Sequence, residues 1–201
     1  MRILKSLISI ISSQPGLYGG IRATLNGKVF DRIILQCLGD TTNKRVLDVC
    51  CGLGSHSLII TGEYTGIDFN DKEIKYAQKK YSAPQHKFVH GNFLDINLEP
   101  KRFDYSLLIN ALHHFSDEEA QLVLKKISNS TRENIVIVDP NGGTTNPVHR
   151  FMLSLDNGNF MRSTSQHKKL LESFFVISNI FEFGVPSRLS TYFCYLCTPR
   201  N

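Results

Sequence analysis

A glycine turn and two acids that end short apolar runs are the residues of this sequence best suited to binding a ligand. The segment RVLDVCCGLGS reads as a strand that carries Asp48 and enters a turn containing Gly52 and Gly54. A second apolar run, YTGID, ends on Asp68. A glycine turn between a strand and a helix lets backbone N–H groups approach a ligand, and an acid ending the next strand can accept hydrogen bonds from both ribose hydroxyls. This layout predicts a nucleoside-binding βαβ unit.

Two adjacent histidines, His113 and His114, follow a later apolar run. A histidine in this position could act as a general base, or could hold an acceptor through one ring nitrogen. The alternative is a structural ring, packed beneath a ligand and hydrogen-bonded to the backbone. Of the pair, His113 is favoured for the site and His114 for the structural role. Two neighbouring histidines without carboxylates at ligand spacing do not make a metal site, so no metal is expected.

Strands and helices alternate from residue 44 onward, which predicts a mostly parallel sheet covered by helices on both faces. Strands are expected over residues 45–50, 64–68, 87–90, 103–109, 134–139, 175–183 and 190–197. Helices are expected from near Ser55, over residues 71–80, and from the capping box at Ser116. Ligands of such sheets bind beyond the carboxyl ends of the strands, where the acids and the histidines lie in this scheme.

The N-terminal part reads as two amphipathic helices, over residues 1–12 and 26–38. The first is too short to span a bilayer and lacks the cleavage site of a signal peptide. A helix packed on the domain is its simpler interpretation, and a peripheral membrane contact is the alternative. Residues 1–40 are therefore expected to form a helical cap on a single domain that covers residues 1–201.

Composition is that of one globular domain, with 41% hydrophobic and 20% charged residues in a chain of 201. The net charge of +5 is spread along the chain without a basic stripe, so nucleic acid is an unlikely partner. Five cysteines, an odd number without disulfide-framework spacing, indicate reduced thiols and a cytoplasmic protein, which could associate with a membrane through its first helix.

Four motifs resemble, in order and spacing, the class I S-adenosylmethionine-dependent methyltransferases over residues 44–139. The motifs are LDVCCGLGS, GIDFN, HGNFLDI and FDYSLLINALHHF. The resemblance implies a Rossmann-like seven-stranded sheet whose final strand lies antiparallel beside the fifth, and S-adenosylmethionine as cofactor. One departure is Cys50, which stands where the family has the first of three glycines. A cysteine fits there only if the backbone needs no positive φ, so it is interpreted as a tolerated variant.

The resemblance also implies roles for the residues of the first two motifs. The backbone of Gly52 and Gly54, with Cys50 before them, would approach the amino-acid part of the cofactor. Asp48 would orient a water molecule or the ammonium group. Asp68 would hold the ribose hydroxyls, and Phe69 would flank the adenine.

The third and fourth motifs would complete the cofactor site. Asn92 occupies the position of an acid that accepts a hydrogen bond from the adenine amino group, and its amide oxygen can still do so without charge assistance. Phe93 would supply a neighbouring apolar contact. Asn110 would offer its backbone carbonyl from the end of the fourth strand.

An inserted segment over residues 144–173 is expected to act as an acceptor-binding lid, with a solvated surface as the alternative. Its aromatic and aliphatic residues suggest a hydrophobic or ring-containing small acceptor. The candidate acceptor contacts are Tyr18, His149, Arg150 and Arg162.

The leading hypothesis is therefore a small-molecule methyltransferase, similar to the branch that acts in ubiquinone and menaquinone biosynthesis. A regulatory or scaffolding subunit that binds the cofactor without transferring methyl is the main alternative. A nucleic-acid methyltransferase fits less well, because NALH follows the fourth strand where amino-methylating members have an Asn/Asp-Pro-Pro-aromatic sequence. The sequence does not indicate the methylated atom or the oligomeric state.

Overall fold

Seven strands form one sheet in the computed structural model, which describes residues 28–156 and 158–200. In chain order they are β1 (Arg45–Val49), β2 (Glu63–Asp68), β3 (His86–His90), β4 (Tyr105–Ile109), β5 (Ile135–Pro140), β6 (Phe175–Gly184) and β7 (Thr191–Pro199). They lie in the order β3-β2-β1-β4-β5-β7-β6, with the first five parallel and β7 antiparallel to both neighbours. The expected sheet, with its last strand beside the fifth, is confirmed.

Five α-helices and two 3₁₀ turns connect the strands within the described residues. The helices are α1 (Val29–Leu38), α2 (Asp71–Tyr81), α3 (Asp117–Ser130), α4 (Pro147–Leu155) and α5 (Thr164–Leu171). Asn70 caps α2 through its side chain, and the predicted capping box of Ser116 and Glu119 begins α3. The helix expected from Ser55 is wrong, because only a 3₁₀ turn (Ser55–Ile59) fits between the left-handed Gly54 and β2.

Two hydrophobic clusters cover the two faces of the sheet, as alternation along buried strands requires. Leu107 of β4 belongs to the cluster that packs beneath α1 and α2. Its neighbour Leu108 belongs to the cluster beneath α3 and α5. The expectation of helices on both faces is therefore confirmed.

Several expectations fall on residues that the structure does not describe. The helix over residues 1–12 and the candidate acceptor contact Tyr18 both lie outside the described residues. The second N-terminal helix is seen from Val29, within its expected bounds. No helix in the described part of the chain is long and apolar enough to cross a bilayer. The inserted segment contains α4 and α5.

Candidate functional site

The carboxylate of Asp68, the last residue of β2, is hydrogen-bonded both to the loop after β1 and to the loop after β2. Its Oδ2 accepts a hydrogen bond of 2.9 Å from the backbone N–H of Gly52, and its Oδ1 accepts one of 2.8 Å from the backbone N–H of Asn70. A carboxylate offers about four lone-pair sites, so each oxygen keeps capacity for another donor. The arrangement fits a group that carries two adjacent hydroxyls, as a ribose does.

The two glycines of the turn are also needed for packing within the protein. Gly54 has φ of 70°, and a Cβ there would collide with the ring of Phe88 and with Ala77. Gly52 has φ of 53°, and its Cβ would lie 2.9 Å from Glu73 Oε2. These atoms belong to the protein, so the glycines allow the turn to pack on α2 and β3.

Left-handed residues end the two strands on either side of the reversal in strand order. Cys50, after β1, has φ of 59°, and Asn110, after β4, has φ of 55°. The expectation that Cys50 is tolerated because the backbone needs no positive φ is therefore wrong. A left-handed non-glycine residue costs roughly 1–2 kcal/mol. Such strain is concentrated at ligand-binding sites, where the surrounding structure holds it in place.

Asn110 also carries a buried acceptor without a partner. Its backbone N–H donates to the carbonyl of Val138 at 2.6 Å, while its side-chain Oδ1 receives no hydrogen bond from the described residues. An unpaired buried polar atom costs about 1–3 kcal/mol. A polar ligand at this edge of the sheet would remove that cost, which is consistent with a binding site here.

Asp48 is buried below the glycine turn and accepts a hydrogen bond of 2.6 Å from the hydroxyl of Tyr64. Burial raises the pKa of Asp48 to about 6, although the charge of His56 and the Tyr64 hydroxyl oppose the rise. The carboxylate is thus ionised at neutral pH, where it can attract an ammonium group. The sequence analysis did not identify Tyr64 as part of the site, because it lies in an apolar strand and its hydrogen bond to Asp48 cannot be recognised from its neighbours in sequence.

Phe69 is 74% exposed although it directly follows the buried end of β2. A large aromatic ring standing in solvent beside Asp68 is available to stack on a flat ligand group. Its backbone carbonyl lies 3.0 Å from Nε2 of His90, which fixes the main chain at this point. The arrangement agrees with the predicted adenine contact.

The loop after β3 carries Asn92 and Phe93, which were both predicted to contact the cofactor. Asn92 is exposed, and its Oδ1 accepts a hydrogen bond of 3.1 Å from the N–H of Leu94. Phe93 is buried in the core, where the ammonium of Lys126 lies 5.1 Å from its ring centroid. The expected cofactor contact of Phe93 is therefore replaced by a packing role. Lys126 also donates to the carbonyl of Phe93 at 2.6 Å, which holds the loop on α3.

His113 is 0% exposed and lies between two carboxylates. Its Nδ1 is 2.8 Å from Asp139 Oδ1, and its Nε2 is 3.2 Å from Asp156 Oδ1. Burial alone would lower the pKa of His113, but the two carboxylates outweigh it and raise the pKa to about 9. At neutral pH the ring is thus protonated and cannot accept a proton. The expected general base is corrected to a buried cation.

His114 is exposed at the mouth of the site, so His113 and not His114 is the buried ring of the pair. The rings of His113 and His114 have centroids 4.3 Å apart. Asp139 lies on β5, and its Oδ2 is 3.3 Å from Nε2 of the buried His167. Burial would raise the pKa of Asp139, but His113 and His167 together lower it. Asp139 was predicted only as the end of a strand, since nothing in its local sequence indicates its partner.

Arg162 does not face the site, contrary to its prediction as an acceptor contact. Its side chain is 4% exposed, and its guanidinium donates to Asp117 Oδ1 and to the carbonyls of Leu112 and Phe115. It therefore anchors the inserted segment to the loop after β4.

The two other predicted acceptor contacts among the described residues, His149 and Arg150, lie on α4. Arg150 is exposed, and His149 Nε2 lies 3.3 Å from the carbonyl of Arg188 in the β6–β7 turn. The same segment leaves three large apolar side chains in solvent: Val148, Phe151 and Phe160.

Known proteins match the part of the chain that carries these features. A family model described as a methyltransferase domain matches residues 46–134. The demethylmenaquinone methyltransferase of Staphylococcus aureus (strain JH9) is 30% identical over 97 residues. That match takes in 45% of this chain and 40% of the relative, so the chain spans less than half the length of the curated relatives it matches.

Solved structures resemble nearly the whole described fold. The PH0226 protein of Pyrococcus horikoshii OT3 has a TM-score of 0.70 at 16% identity, over 86% of this chain and 89% of that one. Magnesium protoporphyrin IX methyltransferase of Synechocystis PCC 6803, solved with bound SAH, has a TM-score of 0.67 at 18% identity, over 84% and 80%. At such low sequence identities, the similarity shows that the folds are alike and no more.

Proposed function

We propose that this chain, which belongs to the class I S-adenosylmethionine-dependent methyltransferases, moves a methyl group to a small hydrophobic or ring-containing acceptor. The observation that carries the proposal is the Asp68 carboxylate, held by backbone N–H groups of both loops beside the exposed ring of Phe69. A ribose with two adjacent hydroxyls could donate to the Asp68 carboxylate, and a flat base attached to it could stack on the ring of Phe69.

The described residues fit S-adenosylmethionine as cofactor. Asp68 would accept hydrogen bonds from the ribose hydroxyls, while Phe69 would stack on the adenine. The ionised Asp48 would attract the ammonium group through the turn above it. The unpaired Oδ1 of Asn110 and the strained backbone of Cys50 lie at the neighbouring strand ends, where a ligand would be contacted.

The cofactor supplies a methyl group on a sulfonium, which is already activated for transfer. The chain then has to hold the acceptor in line with it, and positioning of this kind can contribute about 7–11 kcal/mol. His113 does not remove a proton at neutral pH, because its pKa is raised to about 9. This supports an acceptor that needs no general base, or one whose proton reaches solvent past the exposed His114.

The inserted segment over residues 144–173 supports an apolar acceptor. Phe151 and Val148 are exposed on one face of α4, and Phe160 is exposed in the loop that follows. Apolar side chains that stand in solvent together favour a hydrophobic partner. The curated relative named for demethylmenaquinone points the same way, so quinones, lipids and ring-containing metabolites form the proposed acceptor class. His149 and Arg150 are kept as proposed polar contacts on this lid.

All five cysteines are free thiols, which agrees with the proposed cytoplasmic location. A subunit that binds the cofactor without turnover is the alternative, and it is favoured by the position of His113 between Asp139 and Asp156, which raises the pKa of His113 to about 9 and removes it as a general base at neutral pH. Such a subunit would bind S-adenosylhomocysteine and methylate nothing.

Radiolabelled S-adenosylmethionine tests the proposal directly. The purified chain is incubated with it and with separate panels of quinols, phenols, lipids and tRNA. Label in a quinol, phenol or lipid is expected. Cofactor binding without label in any panel would favour the non-catalytic alternative, and label in tRNA alone would refute the acceptor class.

A pair of matched variants tests the lid. Phe151→Ser is expected to raise KM for the labelled acceptor, whereas Leu122→Ser, at an equally exposed apolar position on α3, should leave KM unchanged. Equal effects of the two changes would contradict the lid assignment.

A further inference from the structure

Three potential metal ligands meet beside the candidate site: two adjacent histidines after β4 and an aspartate about forty residues onward. The ring nitrogens of His113 and His114 and a carboxylate oxygen of Asp156 all lie within 4.8 Å of one another. We infer that these three residues form a binding site for a divalent cation at the carboxyl edge of β4 and β5.

The orientation of His113 is the first argument. Its Nδ1 lies 2.8 Å from Asp139 Oδ1, and because a carboxylate only accepts, the N–H at Nδ1 donates. In the neutral ring, this leaves the lone pair on Nε2. Metal-binding histidines nearly always donate their other nitrogen to a carboxylate or carbonyl in this way. Asp139 is itself buried and held by His167, so the ring cannot turn freely.

The second argument is the unpaired nitrogen itself. Nε2 of His113 is buried and makes no hydrogen bond to any described residue, yet it points at Asp156 Oδ1 from 3.2 Å. A nitrogen and a carboxylate oxygen at that distance need either a proton or a metal cation between them, so a bound cation would replace the Nε2 proton of the protonated ring described above. Bonds of about 2.0–2.1 Å in a tetrahedral zinc site separate adjacent ligand atoms by roughly 3.3 Å, which agrees with the observed spacing.

The chain just after α4 brings Asp156 to the ring of His113. Gly158 donates its N–H to Asp156 Oδ1 at 2.7 Å. A Cβ at Gly158 would collide with the His113 ring, so only glycine lets the chain cross there. Phe160 then donates its N–H to the carbonyl of His113 at 3.0 Å. These contacts fix the carboxylate before any cation arrives.

The donor set indicates which cation would bind. Two imidazoles and one carboxylate favour Zn²⁺, Co²⁺, Ni²⁺ or Fe²⁺ over Mg²⁺ and Ca²⁺, which prefer oxygen ligands. His114 is exposed and the Asp156 side chain is 33% exposed, so one side of the cluster opens to solvent. Three protein ligands with an open fourth position are the arrangement of a site that can also hold an oxygen of a substrate. That last role rests on the proposed function, whereas cation binding does not.

Titration of the metal-free, tag-free protein tests the inference. Co²⁺ is added alone and its visible ligand-field absorption is followed, and Zn²⁺ binding is measured by calorimetry without S-adenosylmethionine. We expect one cation per chain with micromolar or tighter affinity. His114→Ala and Asp156→Asn, both at accessible positions, should each weaken binding by at least about tenfold, and Asp139→Asn by about 10–100-fold.

His56→Gln is the matched control, because His56 pairs with Asp31 at 3.1 Å in a simple histidine–carboxylate pair. It should leave the cation affinity unchanged. Binding only at millimolar cation, or equal affinity in the wild type and both ligand variants, would overturn the site. His113 would then be a protonated bridge between Asp139 and Asp156. Because the titration omits cofactor and acceptor, its failure would leave the proposed methyl transfer untouched.

Discussion

Replacing Asp68 gives the sharpest test of the cofactor site, because the geometry sets the size of the effect. Each carboxylate oxygen already accepts one backbone N–H, from Gly52 at 2.9 Å and from Asn70 at 2.8 Å. Each therefore has room for one ribose hydroxyl. Hydrogen bonds to a charged group contribute about 1.5–3 kcal/mol each, so two lost bonds remove about 3–6 kcal/mol. At about 1.4 kcal/mol per factor of ten, Asp68→Ala should weaken cofactor binding by roughly 10²–10⁴-fold.

Asp68→Asn separates the two contributions of the carboxylate. The amide keeps one acceptor oxygen, but its NH₂ group cannot accept from Gly52 or Asn70. One ribose bond or one loop contact is then lost, together with the charge. We expect an intermediate loss of affinity, of about 10–100-fold.

Calorimetric titration with S-adenosylhomocysteine at neutral pH measures both variants. Asp71→Asn is the matched control, since Asp71 lies three residues onward and pairs with Lys75 at 2.6 Å on the surface of α2. Circular dichroism must show that Asp68→Ala remains folded. Wild-type affinity in folded Asp68→Ala would refute the ribose assignment, and with it the cofactor pose.

Three further predictions concern single side chains. Cys50→Gly should stabilise the fold by up to about 1.5 kcal/mol in denaturant unfolding, because it relieves a left-handed residue, about 1–2 kcal/mol, at the entropic cost of a glycine, about 0.5–1 kcal/mol; destabilisation would contradict the strain argument. Asp48, with its pKa raised to about 6, should make cofactor affinity rise as pH rises through 6 and level off about one pH unit higher, whereas Asp48→Asn should give a flat profile. His113 has its pKa raised from 6.5 to about 9, so its contribution is complete below pH 6.5 and is lost as pH rises through 9. The free energy of unfolding should fall by about 3 kcal/mol over that pH range, and the melting temperature should fall with it. His113→Gln should abolish this pH dependence. If the melting temperature of the variant depends on pH as the wild type's does, another group is responsible.

Local sequence determined where the strands lie along the chain and most of their bounds. Each buried strand is a short apolar run, and the helices α2 and α3 begin where Asn70 and Ser116 supply side-chain acceptors. These features act over a few residues, so they can be recognised without the rest of the chain. The glycine turn and Asp68 were predictable for the same reason, because their spacing belongs to one βαβ unit.

Apart from the helix expected at Ser55, the predictions that failed depend on how segments pack against one another. The left-handed φ of Cys50 is set by how the turn packs, and no neighbour in sequence reveals it. Phe93 became a core residue because Lys126 of α3 lies on its ring. Arg162 became an anchor because the loop after β4 presents two carbonyls and Asp117 to it.

The histidine pair shows most clearly which properties follow from the sequence and which depend on the tertiary structure. Sequence alone established that His113 and His114 follow the fourth strand, at the edge where ligands bind. Which ring is buried depends on Asp139, brought alongside by the pairing of β4 with β5, and on Asp156, returned by the inserted segment. Charges interact through space whatever their separation along the chain, so the pKa of His113 and its potential cation site were decided only by the tertiary structure.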